Sequence, residues 1–94
     1  MRYVANVEIL LKPGLLDPQG KAIEGSLPAL GWTNVSDVRV GKSIRLQLEA
    51  EDESAAVSQV HEMAERLLSN PVIESFVIRE VREHTGPSFE DRMP

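Results

Sequence analysis

The sequence has no cysteine. Disulfides, thiolate nucleophiles and cysteine-based zinc sites are therefore excluded. Aromatic residues make up only 4% of the chain, and there are two histidines. Ring-stacking surfaces for single-stranded nucleic acid need several aromatics close together, which this composition does not offer. Cations are in the minority, with 10 Lys+Arg against 15 Asp+Glu and a net charge of −5. Nonspecific binding to nucleic acid or to anionic lipid depends on clustered positive charge, so both are disfavoured. No apolar run approaches the length of a membrane span, and the first residues do not have the layout of a secretory signal. A cytoplasmic location is the expectation.

What the chain does have is aliphatic periodicity. Hydrophobic residues are 41% of its 94 positions, enough for one small domain. A domain of this size buries only roughly 60–65% of the surface its unfolded chain exposes. It gains from a second copy or a partner. Residues 3–11 alternate, with Tyr3, Ala5, Val7, Ile9 and Leu11 on one face and Val4 and Leu10 on the other, as in a strand. Lys12-Pro13-Gly14 ends it. Asp17-Pro18 opens a helix, with Asp17 as its cap and proline at the first helical position. Ile23, Leu27 and Leu30 form its apolar stripe. Pro28 should kink or shorten that helix, and Gly31 is placed to end it in a left-handed conformation.

Residues 35–40 and 44–48 read as two strands of a hairpin around Gly41-Lys42-Ser43. A three-residue loop pairs Val40 with Ile44 and Val38 with Leu46, which keeps the faces consistent. Asp52 caps a second helix. Its stripe is Ala56, Val60, Met63, Ala64 and Leu67, and Asn70-Pro71 stops it. Residues 75–81 form the last strand, with Phe76 and Ile78 inward. The expected domain is 1–82, and 83–94 is a polar tail expected to be flexible. The order β-α-β-β-α-β is α+β and predicts a ferredoxin-like sandwich: a four-stranded antiparallel sheet with both helices on one face.

Catalytic chemistry is hard to assemble from these residues. His61 with Glu65 is the only helical i,i+4 pair of metal-ligand type, and two ligands are too few for a structural site. The acidic run Glu49, Glu51, Asp52 and Glu53 is best explained by the dipole of the second helix. No phosphate-loop motif is present. No catalytic, cofactor-binding or metal residue is therefore assigned. The expected hairpin sets Arg39 opposite Arg45, with Lys42 at the tip and Asp37 diagonal. Like charges directly opposed on a sheet are destabilising. The same face carries Val4, Leu10, Val77 and Val81, and mixed apolar and basic residues suit an interface better than bare surface.

Particular strings sharpen this. The run Lys12-Pro13-Gly14-Leu15-Leu16-Asp17-Pro18-Gln19-Gly20 resembles the signature of the PurS family. Ala29-Leu30-Gly31, the run from Val35 to Lys42, and Asn70-Pro71-Val72-Ile73-Glu74 are similar to later blocks of that family, in the same order. Pro28 departs from it, standing where the family usually keeps a helix former. The resemblance implies a non-catalytic small subunit of phosphoribosylformylglycinamidine synthase in purine biosynthesis. In such a complex a glutaminase subunit releases ammonia, and a large synthetase subunit, with ATP and magnesium, joins it to formylglycinamide ribonucleotide. The small subunit holds the two together, supports ammonia transfer and forms a dimer or tetramer. On this reading Lys12, Pro13, Asp17, Gln19, Arg39, Lys42 and Arg45 are the candidates for contact with partner subunits. Val4, Leu10, Val77 and Val81 are the candidates for self-association. A regulatory module of ACT-like type shares the strand–helix order and is the alternative. An acylphosphatase-like enzyme needs an arginine cradle after the first strand, and residues 12–16 contain no arginine.

Overall fold

The computed structural model describes residues 1–84. It contains three strands in the order β2-β1-β3, all antiparallel: β1 (Arg2–Leu11), β2 (Gly41–Glu49) and β3 (Glu74–Glu83). Two helices accompany them, α1 (Pro18–Ser26) and α2 (Glu53–Met63). The α+β class, both helices and three of the four expected strands stand, but the four-stranded sheet does not. Residues 35–40 form no strand, and the expected hairpin is absent. Ile44 and Leu46 pair with Val7 and Ala5 of β1 on one edge of β2, and the other edge of β2 carries no strand.

The reason is local. Asp37 has φ of 55°, in the left-handed region that aspartate tolerates better than most residues. That residue interrupts the extended run. The N–H groups of Val38 and Val40 then donate to the carboxylates of Glu24 (3.1 Å) and Asp17 (2.8 Å). A backbone donor satisfied by a side chain has no need of a ladder. Arg39 and Arg45 are consequently not opposed: Arg45 lies across from Asn6.

β1 is the central strand, and Ala5, Val7 and Ile9 on one of its faces are buried with Val60 and Ala64 of α2 and the turn that ends it. Ile44, Leu46, Leu48, Phe76, Ile78, Val81 and Leu68 close around them. Each fully buried aliphatic side chain contributes about 1.5–3 kcal/mol relative to exposure. Two irregularities shift side chains from their expected faces. A β-bulge in β3 lies where Asn6 pairs with Glu80 but Val7 pairs with Ile78. The extra residue reverses the parity of the strand, so Val81 turns inward opposite Ala5. Its expected place on the outer face is therefore corrected. Val4 is on the outer face as expected but is fully buried there. Leu10 is half-buried and Val77 is exposed.

The second irregularity closes α2. Residues Ala64–Leu68 form a π turn, capped by Ser69, whose N–H and hydroxyl both donate to the carbonyl of Ala64 (3.0 and 2.8 Å). The wider turn swings Leu67 out, to 82% exposure, and brings Leu68 to the core in its place. Ala56, Val60 and Ala64 are buried as the 3.6-residue period predicts. Asp52 caps α2 by accepting from Ala55 N–H at 2.8 Å.

α1 ends early because of Pro28. The helix stops at Ser26, and a 3-10 turn over Pro28–Leu30 leads to Gly31 at φ 104°. Of the two helices, only α2 packs on the sheet face. Gly20 is the sole buried residue of α1, and Ile23, Leu30 and Trp32 are exposed. The expectation of both helices on one face is corrected accordingly. The molecule is elongated, 50 × 34 × 19 Å, with a radius of gyration of 17.0 Å, against about 12 Å for a compact chain of this length. Of the expected tail, Glu83 instead closes β3, and the buried His84 donates its N–H to the carbonyl of Arg2. The remainder, 85–94, lies outside the described residues.

The bulge gives a direct expectation. Val81→Ser should destabilise the chain by roughly 1–3 kcal/mol, through lost burial and an added polar group. Val72→Ser, at an exposed position outside the sheet, should stay within about 0.5 kcal/mol of wild type. Urea denaturation of both variants checks this, and equal effects would contradict the inward placement of Val81.

Candidate functional site

Three of the four segments that carry the sequence motifs meet at one end of the sheet, and Ala29-Leu30-Gly31 lies in the turn beyond α1. β1 runs into the loop Lys12–Leu16, and the N–H of Lys12 donates to the carbonyl of Ile73 at 2.8 Å, just before β3. The loop then enters α1 through Asp17. Its Oδ1 accepts from Gly20 N–H at 2.8 Å, as a helix cap does, and its Oδ2 accepts from Val40 N–H at 2.8 Å. One carboxylate thus joins α1 to the residue before β2. Gly20 permits the close approach: a Cβ there would lie 2.1 Å from the carbonyl oxygen of Val38.

Two more side chains secure the junction. Glu24, two turns along α1, accepts from Val38 N–H and lies 3.6 Å from Lys21. Arg39 reaches back to donate to the carbonyl of Leu15 at 2.7 Å, and its Nε is 3.5 Å from Asp37. On the β3 side, the carboxylate of Glu74 accepts from Asn70 N–H at 2.7 Å, and the Asn70 side chain accepts from Val72 N–H at 3.1 Å. Leu11, Asp17, Gln19, Val40, Lys42 and Glu74 help to line a shallow hollow of about 310 Å³ between these segments.

The electrostatics follow the hydrogen bonds. The N–H groups of Gly20 and Val40 hold the Asp17 carboxyl below the ordinary aspartate range, although its burial pushes the other way. Val38 N–H does the same for Glu24, again against burial and with help from Lys21. On the outer face, the Arg79 guanidinium pairs with Glu8 at 3.1 Å and holds that carboxyl below its usual range.

Five of the seven partner-contact candidates are placed at this end: Lys12, Pro13 and Gln19 are exposed, Lys42 is exposed, and Asp17 is buried at 5% exposure. Arg39 is adjacent but occupied internally by Leu15 and Asp37. Arg45 lies further along β2, opposite Asn6, away from the group. Glu24 is the residue that sequence reasoning missed. Its signal was the seven-residue spacing from Asp17, which puts both carboxylates on one side of a helix. The polar groups gathered here hold backbone in place, and what the arrangement can do is present a fixed surface. Away from it, His61 bonds Glu65 at 2.7 Å and stacks edge-on against Phe76.

These features define a small α+β domain: one helix on a three-stranded sheet, with motif-bearing loops braced at the sheet's end. Residues 4–82 match the family described as PurS, phosphoribosylformylglycinamidine (FGAM) synthase, and the chain belongs to that family. It is 45% identical over 74 residues to the synthase subunit PurS of Synechocystis sp., covering 79% of this chain and 74% of that one. It is 42% identical over 74 residues to the Bacillus subtilis PurS subunit, covering 79% and 87%. Among solved structures, Thermus thermophilus PurS superposes with a TM-score of 0.80 at 41% identity, covering 90% of this chain and all of that one. A chain of the structure of PurLQS from Thermotoga maritima gives 0.75 at 34% identity, covering 89% and 99%. The ACT-like alternative is not favoured by these similarities.

The depressed carboxyls predict a pH dependence. A group with a lowered folded pKa adds stability above its unfolded pKa, and that stability is lost as pH falls through the folded value. Wild type should therefore exceed Asp17→Ala in stability by a constant margin above about pH 4.5, the upper end of the unfolded carboxylate range. The margin should shrink as pH drops below that. Urea midpoints of the two proteins between neutral and acid pH test it, and a margin that grows on acidification would contradict the assignment.

Proposed function

We propose that the chain is the PurS subunit of phosphoribosylformylglycinamidine synthase and acts in purine biosynthesis without an active site of its own. The observation that carries this is the likeness to a chain of PurLQS over 89% of its length. In this reading the chain bridges a glutaminase subunit and a large synthetase subunit, and it supports the passage of ammonia between them. ATP and magnesium belong to the large subunit. The braced loop end, with Lys12, Gln19 and Lys42 exposed, supplies contacts to a partner. The cytoplasm is the place for this activity, and among the described residues no helix is long and apolar enough to cross a membrane.

The chain also associates with itself, as a dimer or tetramer. Its elongation and the exposure of Ile23, Leu30 and Trp32 along α1 and the turn that follows support this. Exposed apolar surface of this kind is removed from water when copies pack together. Val77 and the half-buried Leu10 extend the apolar surface on the sheet side.

Reconstitution tests the main claim. The large subunit alone should make the amidine from free ammonia. Glutamine-dependent synthesis should require all three proteins, and omission of this chain should abolish it. Full glutamine-dependent activity without the chain, or glutaminase activity from the chain alone, would contradict the reading. Light scattering at micromolar concentration should give a mass of at least twice 10.4 kDa, and a monomer would contradict self-association.

A further inference from the structure

We infer that Asp17 is a positioning residue for subunit docking: its carboxylate ties α1 to the start of β2, so the loop end meets a partner subunit as one rigid surface. The partner in this statement rests on the synthase-subunit reading. Helix capping alone does not explain Asp17. The other capping aspartate, Asp52, accepts from Ala55 N–H with one oxygen and stays exposed. Asp17 makes the same bond to Gly20 but is 5% exposed and sends its second oxygen to Val40, 23 residues away. Removing a carboxylate from water is costly, and a cap does not require it.

The second bond has companions with the same effect. Glu24 takes the N–H of Val38, and Arg39 takes the carbonyl of Leu15. Together they fasten residues 38–40 to residues 15–24. None of these side chains belongs to the core cluster of Ala5, Val7, Ile9, Val60 and Ala64, so the core can form without the brace. The brace fixes where Leu15, Leu16, Gln19 and Lys42, all exposed, stand relative to one another. A surface already fixed in its bound arrangement loses less freedom on association.

Asp17→Asn separates the two roles. Asparagine is as good a cap as aspartate, and its oxygen can keep the Gly20 bond. Its NH2 then faces the N–H of Val40, donor against donor. The variant should keep its fold by circular dichroism, with Gly20 amide exchange unchanged and Val40 exchange faster by roughly tenfold or more. In the reconstituted synthase, half-maximal glutamine-dependent activity should need on the order of tenfold more of the variant, with the plateau rate unchanged. Asp52→Asn, which alters only a cap, should behave as wild type. If Asp17→Asn does not fold, Asp17→Ser keeps a cap but lacks the second oxygen, and the same results are expected of it. Unchanged Val40 exchange, or faster exchange with no change in the half-maximal concentration, overturns the inference. Wild-type chain that fails to support glutamine-dependent synthesis overturns the synthase reading instead, and the brace then stands or falls on Val40 exchange.

Discussion

The N–H groups of Val38 and Val40 bond to carboxylates at the start of α1 and along it, and most of what distinguishes this fold follows from that choice of acceptor. A backbone donor near the protein surface can be satisfied by a strand, a side chain or water. Here Asp17 and Glu24 occupy the positions that a neighbouring strand would take. The sheet therefore stops at three strands. α1 is held at the sheet's end and not across its face, which leaves Ile23, Leu30 and Trp32 exposed. The loop after β1 is brought against the start of β2, and the Lys12–Ile73 bond adds the approach to β3.

The core works by a separate rule. One face of β1, packed on α2, supplies its centre, and both sheet edges contribute half-buried aliphatic residues. Two single-residue irregularities tune it. The bulge in β3 turns Val81 inward, and the π turn at the end of α2 exchanges Leu67 for Leu68. Each adds one residue to a regular period, and each changes which side chains face water. Exposed apolar side chains remain on the α1 arm, at Ile23, Leu30 and Trp32, and also elsewhere, at Val57, Leu67, Val72, Ile73 and Val77.

Membership of the PurS family and the braced loop end fit together. A braced end of this kind presents a surface of fixed shape, and such a surface loses less freedom on association. The side chains that a search for chemistry would single out, Asp17, Glu24 and Arg39, are all engaged with backbone. They stiffen a platform, and the exposed residues beside them can make contacts.

The sequence by itself determined the elements whose signals are local. The alternation of β1, the Asp17-Pro18 and Asp52 helix starts and the Gly31 cap depend on neighbouring residues, and the structure has each of them; Pro28 announced either a kink or a shortening, and the structure shows the shortening. Three of the four motif strings also marked the loops that meet at one end. Tertiary structure decided the rest, because the competing partners are distant in sequence. Residues 35–40 alternate like a strand, and nothing local says that the carboxylates of residues 17 and 24 will take their amides. Ile44 and Leu46 could pair with Val7 and Ala5 on one edge and with Val40 and Val38 on the other; only the first ladder forms, because the amides of Val38 and Val40 go to carboxylates. The bulge and the π turn shift side-chain parity without any proline or glycine to announce them, so the inward turn of Val81 and the exposure of Leu67 exist only once the strands and helix are packed.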